Sequence, residues 1–376
     1  MRVLFTGGGT AGHVNPALAM AETFRQHDPD AAIMFAASAQ PNDKAKDLVP
    51  KAGWDLTGLH IKGLRRPVYH PANLALPFLM IRSKREARRL IEAFKPDLIV
   101  GTGGYACWPV VSEGARMGIP TAVHESNALP GKAIVKVKKQ VDRIFINFPD
   151  TARRLGMEND PKVIRVGNPS MPGFAAADRA AARRALGLRD DELCVLAFGG
   201  SLGAEAVNDA MVTLEADAAR NDPRTVIFHG TGKREYERTL TALRATGADA
   251  CPRIHLMDYI YDMPLRMAAA DLVISRAGAM TISELALLGK AAVLIPSPYV
   301  ADKHQLKNAV SLAEAGAAAY VEEKDLPAGA LSRTVRDLLT DPDARRRMGD
   351  AIRTGFACPD ANEIMYREML KLCQNK

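Results

Sequence analysis

The sequence predicts an α/β protein of two parallel sheets, and three features carry that expectation. Short apolar runs alternate with segments whose apolar residues fall at helical spacing. The chain has 376 residues, more than one ordinary core accommodates. An apolar strand running into Gly-Gly and then a helix occurs twice, at Val3–Gly8 and again at Leu193–Gly200. Two such halves read as paired Rossmann-like domains whose sheets face across a cleft, with ligands expected beyond the carboxyl ends of the strands.

In the first half, Val3-Leu4-Phe5 opens as a buried strand and ends in Gly7-Gly8-Gly9-Thr10-Ala11-Gly12-His13. A helix is expected from about Pro16 through Phe24, because a first-turn proline has no N–H to leave unpaired. Strands follow at 32–36, at 96–101 leading into Gly103-Gly104, at 120–125 and at 143–147. Val163–Pro169 ends a strand in Gly-Asn-Pro, with turn residues to Gly173, so the first domain is expected to span 1–166.

The second domain, expected over 167–356, restarts with the strand Leu193–Phe198, the loop Gly199–Gly203 and a helix from about Ala204. Further strands are expected at 225–229, 254–257, 272–274 and 292–295. Pro359 separates two helices of the tail. In the last one Ile364, Met365, Met369 and Leu372 need a surface, so 357–376 is expected to cross back onto the first domain.

Composition narrows the class. With 47% hydrophobic and 25% charged residues the chain is globular rather than disordered. Its 5 cysteines are scattered without CxxC spacing, which fits reduced thiols and no zinc site. Met1-Arg2-Val3 runs straight into the first strand, so no targeting segment is expected, and no apolar run reaches the roughly 20 residues that span a bilayer. The net charge of +7 is concentrated in Arg65, Arg66, Arg82, Lys84, Arg85, Arg88, Arg89, Lys132, Lys136, Lys138, Lys139 and Arg143. No nucleic-acid-binding signature accompanies it, so no nucleic acid is expected.

The stretch with most chemistry is Ser275–Glu284. Arg276-Ala277-Gly278 joins a buried strand to a helix and is small enough for close approach of a ligand. The helix start offers N–H groups and partial positive charge to a phosphate or pyrophosphate, and Glu284 stands where ribose hydroxyls would find an acceptor. The same pattern also suits an ordinary capped turn. The first glycine loop is no dinucleotide fingerprint, since the second strand ends Phe35-Ala36-Ala37-Ser38 without an acid, and no Walker lysine follows it. His13, at the entrance of a helix, is suited to remove a proton from a hydroxyl or merely to cap local structure. Ser201 in the second loop, the cluster His124-Glu125-Ser126-Asn127, and Gln305 with Asn308 add hydroxyl- and phosphate-recognising groups. A glycosidase reading of Glu125 lacks a partner carboxylate. Asp28-Pro29-Asp30 and Asp341-Pro342-Asp343 read as turns, so no metal is expected.

These motifs stand in one order: Gly7–His13, Gly101–Tyr105, His124–Asn127 with Pro130-Gly131, Val166–Pro169, Gly199–Ser201 and Ser275–Glu284. In that order, over nearly the whole chain, the sequence resembles the MurG family of N-acetylglucosaminyltransferases, which complete lipid II in peptidoglycan synthesis. The resemblance implies the two-domain GT-B architecture, with UDP-N-acetylglucosamine on the second domain and undecaprenyl-linked lipid I on the first. It implies inverting transfer to the 4-hydroxyl of N-acetylmuramic acid without a cofactor, in the service of wall growth, cell shape and division. By likeness, donor contacts fall on Thr10, Ala11, Gly12, Asn127, Ser201, Ile260, Ala279, Met280, Thr281, Ile282, Ser283, Glu284 and Gln305. Acceptor contacts fall on Gly103, Gly104 and Tyr105, and His13 is the expected base. Met171 stands where the family often has arginine, and no role is carried to it; Ala11 replaces a frequent glycine.

A lipid acceptor implies a peripheral position on the cytoplasmic face of the membrane. Leu74, Leu76, Phe78, Leu79, Met80 and Ile81, followed by Arg82, Lys84, Arg85, Arg88 and Arg89, suit an anionic surface, and equally suit a core helix with a basic outer face. Other readings stay open: a transferase of the same architecture acting on another lipid or a small aglycone, a UDP-sugar epimerase, or a nucleotide-sugar binder without catalysis. The last would not need His13, and the epimerase would need facing carboxylates that the sequence does not identify.

Overall fold

The computed structural model describes residues 1–62, 76–170, 173–174, 177–200, 203–300 and 303–374. It divides into two compact units, Met1–Ser170 with Asp360–Lys376, and Met171–Pro359. The divisions thus fall after Ser170 and Pro359 rather than after 166 and 356.

The first unit holds β1 (Arg2–Gly7), β2 (Ala32–Ser38), β3 (Asp55–Leu59), β4 (Leu98–Gly103), β5 (Thr121–Glu125), β6 (Arg143–Ile146) and β7 (Val163–Arg165). Every neighbouring pair is parallel, in the order β3-β2-β1-β4-β5-β6-β7. Alternation along β1 serves both faces of the sheet. Val3 and Phe5 join Phe24, Phe35, Met365 and Met369 on one side, while Leu4 joins Ile91, Ile99, Val110 and Ile144 on the other. The Phe5 and Phe35 rings stack at 5.3 Å.

The last helix, Ala361–Gln374, lies against the helix Ala11–His27. Tyr366 meets Phe24 edge-on at 4.9 Å and stacks on His27 at 4.3 Å. Met365 and Met369 are fully buried there, each stabilising by about 1.5–3 kcal/mol.

The first helix departs from the expectation of a start near Pro16: it begins at Ala11, and Pro16 lies inside it. Pro16 cannot donate to Gly12 O. The first turn is closed instead by Thr10 O, which accepts from His13 N at 3.1 Å and Val14 N at 3.3 Å. That start puts His13 in the first turn and not ahead of it.

The second unit holds β8 (Leu193–Phe198), β9 (Thr225–Gly230), β10 (Ile254–Met257), β11 (Leu272–Ser275), β12 (Ala292–Leu294) and β13 (Ala319–Tyr320). They form a parallel sheet in the order β10-β9-β8-β11-β12-β13. Val195, Ala197, Ile227, Ile274 and Val293 pack against Val207 and Met211 of the helix Glu205–Asn221. Among the described residues no helix is long and apolar enough to cross a membrane.

Candidate functional site

In the first unit β1 and β4 are parallel neighbours, so the two glycine-rich loops that follow them lie side by side. The contact between the loops is close. A Cβ on Gly104 would stand 2.3 Å from Gly8 O, and one on Gly103 would stand 2.7 Å from Cδ2 of His13. Thr102 Oγ1 donates to His13 O at 2.6 Å. His13 Nδ1 lies 3.0 Å from Gly8 O. A carbonyl only accepts, so Nδ1 carries the proton, and Thr10 Oγ1 stands 3.4 Å from the same nitrogen. Nε2 is therefore the basic nitrogen of the neutral ring. Tyr105, on the adjoining turn, is 53% exposed.

One residue of this loop cluster escaped the sequence reading. Asp43 is buried, and its carboxylate accepts from Gly9 N at 2.8 Å, Ala45 N at 3.0 Å and Ser38 N at 3.2 Å. Gly9 N–H is thereby committed to a carboxylate and not turned to a phosphate. An Asp two residues before Ala45, where the helix Ala45–Lys51 starts, is an Asx-turn pattern, and that was the available signal.

The turn after β5 carries Asn127. Glu125 is buried and organises this turn: Oε1 accepts from Asn127 N at 2.9 Å and Oε2 from Gly131 N at 2.7 Å. Burial raises its pKa above the ordinary carboxylate value even though these bonds oppose the shift. Buried His124 donates from Nε2 to Gly167 O at 2.9 Å, and burial lowers its pKa to about 4, so it is neutral. The cluster is thus a scaffold that holds Asn127 in place.

On the same unit, the helix Leu76–Phe94 buries Ser83, Ala87, Ile91 and Phe94 on one face. Phe78 is 77% and Ile81 56% exposed, on a stripe that continues through exposed Arg85 and Arg89. Arg82 pairs with Glu86 and Arg88 with Glu92, each at 2.8 Å. Lys84 Nζ and Lys136 Nζ stand 5.0 Å and 4.9 Å from the Trp108 ring centre. Exposed Val135 belongs to the helix Lys132–Val137 beside it. The helix therefore combines both sequence readings: its later turns are core with a basic outer face, and its first turns expose apolar side chains. Leu74, Arg65 and Arg66 lie outside the described residues.

In the second unit the strand ends line up. Phe198 is opposite both Gly230 and Ser275, and Ser275 is opposite Leu294, so the following loops gather at one end of the sheet. Gly278 caps the helix Ala279–Leu288, with Ile282 N donating to Gly278 O at 3.0 Å. A Cβ on Gly278 would meet nothing nearer than Thr281 Oγ1 at 3.9 Å, so the turn is open to approach. From behind, the buried Asn308 donates to Ala277 O at 3.2 Å, and Arg276 donates to Ile295 O at 3.2 Å. The helix start thus has a fixed backbone and its dipole directed outward.

Glu284 sits in this helix with no hydrogen bond or ion pair to its carboxyl among the described residues, and burial raises its pKa to about 7. Gln305, on the helix His304–Glu314, accepts from Ser297 N at 2.8 Å, which leaves its amide N–H groups to donate elsewhere. Ile260 is buried, its side chain filling the space beside Gly230. Ser201 and Met171 lie outside the described residues.

The residues expected to meet the donor therefore divide between the units. Ile260, Ala279, Met280, Thr281, Ile282, Ser283, Glu284 and Gln305 gather at the end of the second sheet. Thr10, Ala11, Gly12 and Asn127 belong to the first unit, with His13, Gly103, Gly104 and Tyr105.

Comparison with known proteins adds three findings. Residues 3–146 match the glycosyltransferase family 28 N-terminal domain, and residues 194–362 match the family 28 C-terminal domain. The chain is 36% identical over 376 residues to the UDP-N-acetylglucosamine–N-acetylmuramyl-(pentapeptide) pyrophosphoryl-undecaprenol N-acetylglucosamine transferase of Acetivibrio thermocellus, covering 100% of this chain and 99% of that one. Among solved structures, Acinetobacter baumannii MurG superposes with a TM-score of 0.77 at 26% identity, covering 98% of this chain and 99% of that one. The UDP-GlcNAc 2-epimerase of Neisseria meningitidis bound to UDP-GlcNAc superposes at 0.65 with 14% identity over 99% of this chain and 100% of that one, and shares the fold alone.

Proposed function

The chain belongs to glycosyltransferase family 28, and on that membership we propose that it transfers N-acetylglucosamine from UDP-N-acetylglucosamine to undecaprenyl-pyrophosphoryl-N-acetylmuramyl-pentapeptide, lipid I, giving lipid II. The observation that carries the reading is the open turn at Gly278 followed by a Glu284 carboxyl with no partner among the described residues. The helix start receives the donor diphosphate, and Glu284 accepts from the ribose hydroxyls. Gln305 donates to the sugar hydroxyls, and the turn around Ile260 lies against the uracil. Thr10, Ala11, Gly12 and Asn127 complete the donor contacts from the first unit, with Ser201 on the phosphate.

The acceptor diphosphate lies along Gly103, Gly104 and Tyr105. The acceptor's 4-hydroxyl oxygen attacks the anomeric carbon, and its proton passes to His13 Nε2. The bond from that carbon to the phosphate oxygen breaks, UDP leaves with the electron pair, and the anomeric centre inverts. Charge developing on the leaving diphosphate is met by backbone N–H groups at the helix start, preorganised by Asn308 and Arg276. The acceptor's lipid tail places the enzyme on the cytoplasmic face of an anionic membrane, reached through Phe78, Ile81, Val135 and the neighbouring cations.

Incubation with UDP-N-acetylglucosamine and a lipid I analogue tests the proposal. One UDP released per β-linked disaccharide formed supports it. Conversion of the donor to its 2-epimer, or transfer only to unrelated aglycones, refutes it.

A further inference from the structure

Beneath the second glycine loop runs a chain of buried polar groups that the proposed mechanism leaves unused. Asn208 and Glu215 lie on one face of the helix Glu205–Asn221, and His229 lies on β9; all three are fully buried, as is Thr231. His229 Nδ1 is 2.9 Å from Glu215 Oε1 and Nε2 is 3.1 Å from Asn208 Oδ1. Asn208 Nδ2 donates to Thr231 O at 3.1 Å.

These contacts have one direction only. Thr231 O is a carbonyl, so the Asn208 amide must turn its nitrogen to it and its oxygen to His229, and His229 Nε2 must carry a proton. Nδ1 then shares a second proton with Glu215. Turning over the Asn208 amide would set oxygen against oxygen at Thr231 and N–H against N–H at His229.

Such a chain is an expensive way to fill a helix–sheet interface. A buried polar pair of this kind often contributes no more stability than well-packed apolar residues of the same volume. What it gives is fixed position. Thr231 N and Oγ1 are bonded to Met257 O at 2.9 Å and 3.1 Å, so with Asn208 on its carbonyl Thr231 is held from two sides. Its carbonyl oxygen in turn abuts Gly203: a Cβ there would stand 2.2 Å from Thr231 O, and Gly203 has a φ of 83° that favours glycine. Gly203 N closes the loop onto Gly200 O at 3.0 Å, and Asn208 N bonds Ala204 O at 2.9 Å, in the first turn of the helix.

We propose that Asn208, His229 and Glu215 are positioning residues for the donor diphosphate: they set the Thr231 carbonyl, and through it Gly203 and the start of the helix Glu205–Asn221. This rests on the reading of the second unit as the donor site. The chain acts on the phosphate-facing loop and leaves the uridine contacts, which lie around Ile260 and Glu284, unchanged.

Equilibrium binding of UDP and of uridine to the full chain tests it, with thermal melting as a check on folding. Asn208→Asp keeps an acceptor for His229 but loses the donor to Thr231 O. It is expected to weaken UDP at least tenfold while uridine stays within twofold. His229→Gln retains a single donor and should fall between the variant and the wild type, and it carries the test alone if Asn208→Asp does not fold. Parallel losses for UDP and uridine, or no loss for either, would overturn the proposal and leave the donor reading intact. A wild-type chain that binds neither ligand would overturn both.

Discussion

Gly103 faces the imidazole of His13 so closely that a Cβ on it would stand 3.0 Å from Nε2 and 2.7 Å from Cδ2. The loop after β4, read as the acceptor's, is therefore also the wall that fixes the proposed base. Gly103 has a φ of 104°, so glycine is favoured by the backbone as well as by the ring. Gly103→Ala is expected to push the imidazole aside and lower kcat by roughly 10–100-fold, as small misplacements of reacting groups do. UDP affinity should stay within twofold. Steady-state kinetics beside UDP titration checks it, and an unchanged kcat would separate Gly103 from the chemistry.

As the proposed ribose acceptor, Glu284 should give donor binding a pH dependence. Burial holds its carboxyl near a pKa of about 7, against an ordinary value of 4.5. Only the carboxylate accepts from two ribose hydroxyls, so donor KM should fall as pH rises through 7, and Glu284→Gln should flatten that dependence. The same shift acts on stability with the opposite sign. The folded chain keeps this proton to higher pH than the unfolded chain, so folding loses free energy between pH 4.5 and 7. Glu284→Gln should therefore be more stable than wild type above pH 7, by about 3 kcal/mol, and the gain should vanish below pH 4.5. Melting curves at pH 4 and pH 8 measure the difference.

Asp43 should act through the first loop. Asp43→Ala removes the acceptor from Gly9 N, Ala45 N and Ser38 N, and leaving such groups unpaired costs about 1–3 kcal/mol. Stability measured by urea unfolding should drop by that amount. Turnover should fall further than the fraction unfolded explains, because the same loop carries His13.

Arg85 and Arg89, the cations of the exposed stripe with no ion pair among the described residues, carry the proposed membrane contact. Reversing both should weaken cosedimentation with anionic vesicles by roughly thirtyfold or more at low salt, since each surface cation contributes about 1 kcal/mol. Raising salt should weaken the wild type in the same direction. Turnover of a water-soluble acceptor should not change. Binding that ignores both charge and salt would remove the stripe from the membrane reading.

What the sequence made legible was whatever repeats or punctuates. Continuous apolar runs such as Leu193–Phe198 announced central strands, and glycines marked where those strands end. Of the four edge strands, Val163–Arg165 and Ile254–Met257 were legible and the other two were not. Asp55–Leu59 mixes polar residues with Gly58, and Ala319–Tyr320 is two residues long, so both depend on a neighbour for their pairing. Pro16 misled because a proline signals a helix start only in the first turn, and this helix closes its first turn on Thr10 O. Asp43 beneath Gly9, Asn308 behind Ala277 and the chain from Glu215 to Thr231 are hydrogen-bond partnerships between distant segments. Periodicity reports which face a side chain takes, not which distant group it will find.

In the proposed mechanism the first unit carries the chemistry and the second most of the nucleotide binding. Turnover of His13→Ala at saturating donor and acceptor, measured beside its equilibrium affinity for UDP, tests it most directly. UDP affinity is expected within about twofold of wild type and turnover lower by about 10²–10⁴, the usual worth of a positioned general base. Turnover equal to the wild type's would contradict it.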